Sequence, residues 1–434
     1  MAAGGGCGTG KRPGGETPLP GPDACARCGS CSVVCPVYGV TGRESLTARG
    51  KLHLLTTALA EKPSSAYRDI FARCLLCGAC EEKCPRRLPL TTMFHHARAR
   101  FPFLGGKHPL GKYLVRRLLQ HRNLLAGLVR TGVNLKRLEL LPKSSGLRLK
   151  LGLLEDVAAV AGAKYMPQLP EGRMSRSDAA GGGVFYFTGC LARYLQPSIF
   201  RDICSLVTSA KTSIIEAPGS QQCCGLAAYA AGDRVTARRL AKANINAFAG
   251  TQGPIITSCA SCFSQLCSYP ELLAGEERWH EPARSFSRRV VEISSWLPVG
   301  IGEVAAKNPL RVFYHDPCHL RFRHRLTTPP RQLLDGIGGV IRLELADGPQ
   351  CCGQGGLFHL GYPRLSTEIF SDLFHRVADL EPDLVVTTCS GCLMQWRMET
   401  QRRRSPMGVM HLGSLLAGRA IPVGATHSSA AAAG

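Results

Sequence analysis

The chain has 434 residues, of which 44% are hydrophobic, so it is long enough for two or three domains with cores of their own. Its formal net charge is +22, which fits an anionic membrane surface or an acidic protein partner. Aromatic residues make up only 6% and do not alternate with basic residues as they do in nucleic-acid stacking platforms. We therefore expect no nucleic-acid partner.

Residues 1–22 are small and glycine-rich, which predicts a disordered tail without a secretory leader. No run approaches the roughly 18 consecutive apolar residues that a membrane span needs. The chain has 21 cysteines, and thiolate ligands persist in a reducing compartment. We therefore expect a cytoplasmic protein. Cys7, Cys204 and Cys267 match no motif, and we expect no ligand role for them.

Two stretches, residues 25–36 and 74–85, share one cysteine spacing and end in Cys-Pro. C-x2-C-x2-C-x3-C-P is the run that holds [4Fe–4S] cubes, and its fourth cysteine ligates the other cluster. A pair of structural zinc sites is the alternative, but zinc sites lack this triplet rhythm. We therefore predict two cubanes, the first held by Cys25, Cys28, Cys31 and Cys84 and the second by Cys74, Cys77, Cys80 and Cys35. The insert between the motifs has helical apolar spacing, so residues 23–100 predict a helical, ferredoxin-type domain with two clusters.

Residues 101–183 predict a basic helical connector that ends in a glycine-rich linker. Leu110, Leu114 and Leu118 recur at helical spacing among lysines and arginines. Two interpretations stay open here. The segment forms connecting helices that pack on the core, or it forms a basic amphipathic surface that lies on a membrane.

After the linker the chain repeats itself. The first unit contains F-Y-F-T-G-C, Q-C-C-G and I-I-T-S-C-A-S-C, and the second contains V-F-Y-H-D-P-C, Q-C-C-G and V-V-T-T-C-S-G-C. Matched cysteines at a near-constant offset predict duplicated domains over residues 184–300 and 308–420. The first set is Cys190, Cys223, Cys224, Cys259 and Cys262, and the second is Cys318, Cys351, Cys352, Cys389 and Cys392.

Short apolar, β-branched or aromatic runs precede the cysteine groups and predict buried strands, with helical segments between them. The predicted strands are Val184–Phe187, Ser213–Ile215, Ile255–Thr257, Val312–Tyr314, Val340–Leu343 and Leu384–Thr387. This alternation indicates an α/β layer with a mostly parallel sheet, whose strand ends hold the cysteines where such sheets bind ligands. The predicted fold class is α+β overall: an N-terminal helical domain with two [4Fe–4S] clusters, followed by two duplicated α/β domains.

Each repeat offers five cysteines, whereas a zinc ion needs four. Adjacent Cys-Cys side chains usually diverge, so one site that uses both requires an extended polynuclear cluster or an unusual turn. Gly225 and Gly353 follow the two pairs and could supply that turn. The alternative is one zinc ion per repeat with a spare thiol.

The chain resembles the proteins that carry duplicated Cys-Cys-Gly domains, over roughly residues 23–100 and 184–395. They include heterodisulfide reductase subunits, the glycolate oxidase iron-sulfur subunit, the lactate-utilisation iron-sulfur protein and the C subunit of anaerobic glycerol-3-phosphate dehydrogenase. The order of motifs, with C-P-V-Y and R-G-K after the first motif, is most similar to the glycolate oxidase subunit. In heterodisulfide reductases five such cysteines bind a non-cubane [4Fe–4S] cluster, which implies the same ligand role for both sets here. Both sets are complete, a feature that leans toward the heterodisulfide reductase branch.

No G-x-G-x-x-G follows a predicted strand, and no catalytic nucleophile stands out, so the catalytic residues are unknown. The resemblance implies an oxidoreductase subunit that takes electrons from an FAD-containing dehydrogenase of glycolate or lactate type. A quinone or a redox protein would accept them, with peripheral contact at the inner face of the cell membrane. Two alternatives are disulfide reduction at a Cys-Cys-Gly cluster and a zinc-stabilised basic binding protein. His315, Asp316 and His319 flank Cys318, where we favour loop-fixing hydrogen bonds over proton coupling.

Overall fold

The structure is a computed structural model, which describes residues 7, 20–57, 60–61, 64–100, 109–121, 124–125, 127–129, 131–132, 183–210, 212, 214–216, 220–302, 309–346, 348 and 350–419. The predicted tail and most of the predicted connector over 101–183 lie outside the described residues. Within the part of the chain that is described, no helix is both long and apolar enough to cross a bilayer.

Short helices carry both N-terminal cysteine motifs and the insert between them. Pro36 begins the helix after the first motif, where a proline has a suitable φ and loses no hydrogen bond. Thr47 and Ser64 cap two later helices by accepting hydrogen bonds from backbone amides. The helices are α1 (Ser30–Val33), α2 (Pro36–Thr41), α3 (Ala48–Leu55), α4 (Ser65–Ala72), α5 (Ala79–Glu82), α6 (Leu90–Ala99) and α7 (Pro109–Leu118), with 3-10 turns at Pro22–Ala24 and Glu44–Leu46.

The first unit, residues 183–302, is built on a four-stranded parallel sheet. Its strands are β1 (Val184–Tyr186), β2 (Ile214–Glu216), β3 (Ile255–Thr257) and β4 (Val290–Glu292), in the order β2-β1-β3-β4. β1 and β3 are buried along their whole length, as expected for central parallel strands with helices on both faces. Its helices are α8 (Cys190–Tyr194), α9 (Pro197–Ser209), α10 (Leu226–Ala230), α11 (Arg234–Ala247), α12 (Ala260–Cys267), α13 (Tyr269–Leu272), α14 (Glu277–Arg288) and α15 (Ile293–Trp296).

The second unit, residues 309–419, has the same strand order. Its strands are β5 (Leu310–Tyr314), β6 (Val340–Leu343), β7 (Leu384–Thr387) and β8 (Gly408–His411), all parallel in the order β6-β5-β7-β8. Its helices are α16 (Thr328–Asp335), α17 (Phe358–Gly361), α18 (Pro363–Ala378), α19 (Ser390–Arg403) and α20 (Leu412–Leu416), with a π-helical turn at His319–His324.

The central strands of both sheets agree with the sequence prediction, and parallel pairing is confirmed in each. The edge strands β4 and β8 are missing from the prediction. Each has a polar side chain at its end, Glu292 or His411, and each leads straight into a short helix. Glu292 and His411 are fully buried and cap those helices by accepting from the amides of Ser294 and Gly413.

One hydrophobic core runs through both units, and the N-terminal region packs against each of them. α9 of the first unit lies on α20 of the second, where Asp202 accepts hydrogen bonds from Ser414 and Arg419. A smaller apolar cluster joins the N-terminal region to the second unit through Val37, Leu75 and Ile369. The three parts therefore share continuous interfaces, which fixes how their cysteine loops face one another.

The helix α7 turns Leu110 and Leu114 outward and two of its basic side chains inward, while Leu118 is half-buried. Leu110 and Leu114 are 69% and 52% exposed. Arg116 is buried and paired with Asp233 of the first unit at 3.3 Å. The ammonium of Lys112 lies 5.0 Å from the ring centroid of Tyr362 in the second unit. The contacts of Lys112 and Arg116 therefore agree with the first of the two interpretations, in which the segment packs on the core.

A disulfide joins Cys7 to Cys267 at the end of α12, across 260 residues of sequence. The amide of Cys7 also donates to the carbonyl of Val290 in β4. Cys7, which lies in the predicted tail and matches no sequence motif, is thus attached to the first unit.

Candidate metal centres

The first predicted cubane set lines one small cavity of the N-terminal region. Its walls include Cys25, Cys28 and Cys31 from the first motif and Cys84 from the second. Cys28 is exposed, and a hydrogen bond with Ser30 lowers the pKa of its thiol. The predicted crossing of Cys84 to the first motif is thus reflected in the geometry, and this set lies near the protein surface.

The second predicted set is deeper. Burial, together with repulsion from Cys77, Cys74 and Cys35, raises the pKa of the Cys80 thiol well above its ordinary value. Cys35 comes from the first motif, so both predicted crossings bring their cysteines to the expected neighbours. Whether these sulfurs bind metal stays a prediction.

Two cations, the buried Lys51 and the half-buried Arg98, lie beside the second set. Lys51 is almost fully buried and donates to the carbonyl of Leu46; burial raises the pKa of Cys35, and the charge of Lys51 opposes that rise. Arg98 donates to the carbonyls of Phe71 and Cys74 at 2.6 and 2.7 Å. A cubane with four thiolates is anionic, and these charges would stabilise it in a poorly solvated site.

The two N-terminal loops have the same backbone shape. The residue before the second cysteine, Arg27 or Leu76, and the glycine after it, Gly29 or Gly78, all have positive φ. In each loop the amide of the former residue donates to the sulfur of the first cysteine at 3.4 Å. Amide donors around converging thiolates stabilise their negative charge, so both loops suit a cluster.

The five cysteines of the first unit form a continuous chain of sulfur contacts. Cys190 hydrogen-bonds Cys223, and Cys223 hydrogen-bonds its neighbour Cys224. Cys224 also contacts Cys262, which in turn contacts Cys259. Both members of the Cys-Cys pair therefore face the same site.

The five cysteines of the second unit converge in two groups. Cys318 hydrogen-bonds Cys351, while the Cys352 sulfur lies 3.4 Å from that of Cys392, which also contacts Cys389. The charge of Cys352 acts on Cys318, so the two groups adjoin. The pair members thus diverge more here than in the first unit.

The four cysteine sets lie next to one another along the molecule. Cys25, Cys31 and Cys84 of the first cubane set pack against the same apolar cluster as Cys74 and Cys80 of the second. The charge of Cys351 acts on Cys77 of the second cubane set, and the charge of Cys77 acts on Cys318. At the other side of the second unit, Cys389 hydrogen-bonds Cys259 of the first unit. The order is first cubane set, second cubane set, second unit, first unit.

Cys259 and Cys389 are among the cysteines that stand at the start of a helix. Cys259 precedes α12 and Cys389 precedes α19, each directly after a central strand. Hydrogen bonds from Cys259, Cys392 and Ser261 hold the pKa of Cys389 well below its ordinary value. A helix N-terminus favours a thiolate, so this position suits a metal ligand.

Residues 22–88 match the 4Fe-4S dicluster domain, and residues 184–267 and 312–397 match the Cysteine-rich domain. Over 422 residues the chain is 30% identical to the "Probable glycolate oxidase iron-sulfur subunit" of Bacillus subtilis (strain 168), covering 90% of this chain and 92% of that protein. This chain belongs to the glycolate oxidase iron-sulfur subunit family. The 4Fe-4S dicluster match supports [4Fe–4S] clusters in the N-terminal region.

Other relatives of this chain are named "Lactate utilization protein A". That of Halalkalibacterium halodurans is 28% identical over 54% of this chain and 96% of its own length, and that of Geobacillus thermodenitrificans is 28% identical over 46% and 85%. A "hypothetical protein from Helicobacter pylori" has a similar fold, with a TM-score of 0.52 at 8% identity over 85% of this chain and 67% of that chain.

The residues around Cys318 make the hydrogen bonds that the sequence favoured for them. Asp316 accepts from Arg331 at 3.0 Å, and the His319 ring contacts Ser261 of the first unit at 3.1 Å. Burial and the charge of Arg323 lower the pKa of His319 to about 3. The Ser261 hydroxyl also lies 3.2 Å from the Cys389 sulfur. The sequence does not indicate this role, because both hydrogen-bond partners of Ser261, His319 and Cys389, belong to the other unit.

Proposed function

We propose that this chain is the electron-transfer subunit of a flavin-linked dehydrogenase of 2-hydroxy acids such as glycolate or lactate. The observation that carries the proposal is the succession of neighbouring cysteine sets. Cys77 lies near Cys351, and Cys389 is hydrogen-bonded to Cys259. An isolated storage or structural site would not need a further cysteine set close by on each side.

The residues fit the clusters that the family implies. Four sulfurs face each N-terminal site, amides donate to the first sulfur of each loop, and Lys51 and Arg98 supply positive charge. Iron–sulfur clusters, when bound, accept and release single electrons at potentials set by charge, hydrogen bonds and burial. Cys28, at the surface, would expose one end of the series to a partner.

We propose five-cysteine ligation of a non-cubane cluster in each unit, with zinc as the alternative. The continuous sulfur contacts through Cys223 and Cys224 support ligation by all five cysteines in the first unit. The shared strand order of the two sheets supports duplicated domains over 184–300 and 308–420. The 4Fe-4S dicluster match over residues 22–88 supports a two-cluster domain over 23–100.

An FAD-containing subunit is the proposed electron donor, because the similar Bacillus subtilis protein is named as a subunit of glycolate oxidase. A quinone or redox protein is the proposed acceptor, in the cytoplasm or at the inner face of the cell membrane. The exposed Leu110 and Leu114 and the net charge of +22 support a peripheral membrane contact. Sedimentation with anionic liposomes at rising salt tests it.

Metal content tests the proposal. Anaerobically purified protein should contain about eight irons from its two N-terminal clusters alone, with matching acid-labile sulfide. Cys28→Ser should remove one cubane signal in electron paramagnetic resonance (EPR), and Ser30→Ala, beside it, should leave both. Zinc in place of iron would end the redox proposal, as would cubane spectra that Cys28→Ser leaves unchanged.

The complete five-cysteine sets favour disulfide reduction as a second candidate. Incubation of the reduced protein with a thiol substrate's disulfide, without any flavoprotein, distinguishes the two. Thiol release that Cys351→Ser abolishes would support the second candidate. Reduction of the clusters by a 2-hydroxy acid only when the flavoprotein is present would support the first.

A further inference from the structure

The two units carry chemically different side chains at an equivalent buried position beside their cysteines. His315 stands three residues before Cys318, and Phe187 stands three residues before Cys190. Both are at most 1% exposed, and their amides make the same bond, to Val386 and Ile256, each at 2.8 Å. The backbone frame is therefore equivalent, and the difference lies in the side chain.

The two side chains do different things in that frame. The Phe187 ring stacks on Phe248, with centroids 6.2 Å apart. A nitrogen of His315 and the sulfurs of Cys352 and Cys392 all lie within 4.8 Å of one another, and His315 hydrogen-bonds Cys352. The second unit thus adds a polar group to its sulfurs at a position where the first unit has a hydrocarbon.

The His315 ring is held in this orientation by its surroundings. It meets the Trp396 ring edge-on, with centroids 5.8 Å apart and planes at 67°. Trp396 is itself fully buried in the core of the second unit, between Phe313 and Phe370. A ring fixed by packing gives a hydrogen bond of constant geometry to the sulfur.

We propose that the imidazole of His315 donates a hydrogen bond to the Cys352 sulfur and thereby raises the reduction potential of the second unit's centre. A donor to a ligating sulfur stabilises the more negative, reduced form, which shifts the potential upward. The first unit, with Phe187, has no donor at this position. His315 is a positioning residue, and the inference rests on the proposed cluster in the second unit.

The test uses the full chain, purified anaerobically, with a redox titration followed by EPR. His315→Phe, which installs the first unit's residue, should lower the midpoint potential of the second unit's centre and leave the first unit's centre unchanged. His315→Gln retains a donor and should restore part of the shift. His53→Phe, at an exposed histidine of α3, is the matched control and should change neither potential.

Nitrogen-15 labelling of histidine gives an independent readout. Pulsed EPR of the second unit's centre should show a weakly coupled nitrogen that disappears in His315→Phe. A strongly coupled nitrogen would mean direct metal ligation and would overturn the hydrogen-bond role, as would equal potentials in wild type and His315→Phe. If metal analysis finds no iron in the second unit, the proposed cluster there fails as well; with iron present, failure concerns His315 alone.

Discussion

His95 is one of the residues through which α6 contacts the first unit. Its ring stacks on Tyr229 with centroids 3.6 Å apart. Burial, followed by the charges of Arg98, Arg234 and His96, lowers its pKa to about 2, so the imidazole is neutral in the folded protein. The unfolded chain would protonate it near its ordinary pKa of about 6.5.

This difference predicts acid sensitivity at the His95 contact. Because the folded-state pKa is depressed, His95 contributes full stability above about pH 6.5 and loses it as the pH falls toward 2. The loss amounts to about 1.4 kcal/mol per pH unit below 6.5. Thermal unfolding of His95→Phe, which keeps a stacking ring, should depend less on pH between 7 and 5.5 than that of wild type. His53→Phe serves as the control, and identical pH profiles for wild type and His95→Phe would contradict the assignment.

The cysteines themselves were predictable because cluster spacing is local in sequence. The contacts that tune them were not. Ser261 lies 128 residues from Cys389 in the sequence, and the local sequence around neither residue predicts their contact. Lys51 and Arg98 look like ordinary basic residues, and only the fold shows that Lys51 is buried beside Cys35 and that Arg98 donates to the carbonyl of Cys74.

At the scale of the element, α7 shows why an apolar period alone does not assign a buried face. The leucine spacing predicts the helix correctly, yet the face that carries Arg116 packs on the first unit through Asp233, and Leu110 and Leu114 are exposed. Asp233 also caps α11 by accepting from the amide of Thr236 at 3.1 Å. A sequence pattern records which residues share a face, whereas the partner that covers the face comes from distant chain.

The Arg116 pair gives a stability prediction. Arg116→Met should lower the free energy of unfolding by about 3 kcal/mol, because the buried carboxylate of Asp233 loses its counter-charge. Arg117→Met, at the exposed next position, should stay within about 0.5 kcal/mol. Urea unfolding followed by circular dichroism measures both. Equal effects of the two substitutions would show that the ion pair contributes nothing.

The strands also separate into those that the local sequence predicts and those that it does not. β1, β3, β5 and β7 are central and apolar, and the sequence predicts each of them. β4 and β8 end in the polar residues Glu292 and His411, so their sequences lack the fully apolar pattern that predicts a buried strand. Each of these two residues caps the helix that follows. Burial of these two groups is a tertiary fact that local periodicity does not contain.

At the scale of the whole molecule, the N-terminal region bridges the two units. Arg98 donates to the carbonyl of Ala230 in the first unit, and Tyr362 of the second unit donates to Asp69 at 2.6 Å. The second cubane set lies on this bridge, where Cys77 meets Cys351 and Cys318. The motif order along the chain predicts which sets exist, but their spatial order reverses the two units.

That reversal has a magnetic consequence. If clusters occupy these sites, the second cubane and the second unit's centre are near enough for spin–spin interaction. In fully reduced protein the EPR signal of the second cubane should therefore be broadened. Cys318→Ser, which disrupts the second unit's centre, should sharpen that signal.

The matched control is Cys223→Ser in the first unit, whose cysteines adjoin the second unit through Cys259 and not the second cubane set. It should leave the second cubane's broadening as in wild type. If Cys223→Ser sharpened the signal and Cys318→Ser did not, the first unit would be the cubane's neighbour. The relay would then follow the order of the chain, and the contact between Cys77 and Cys351 would not be part of it.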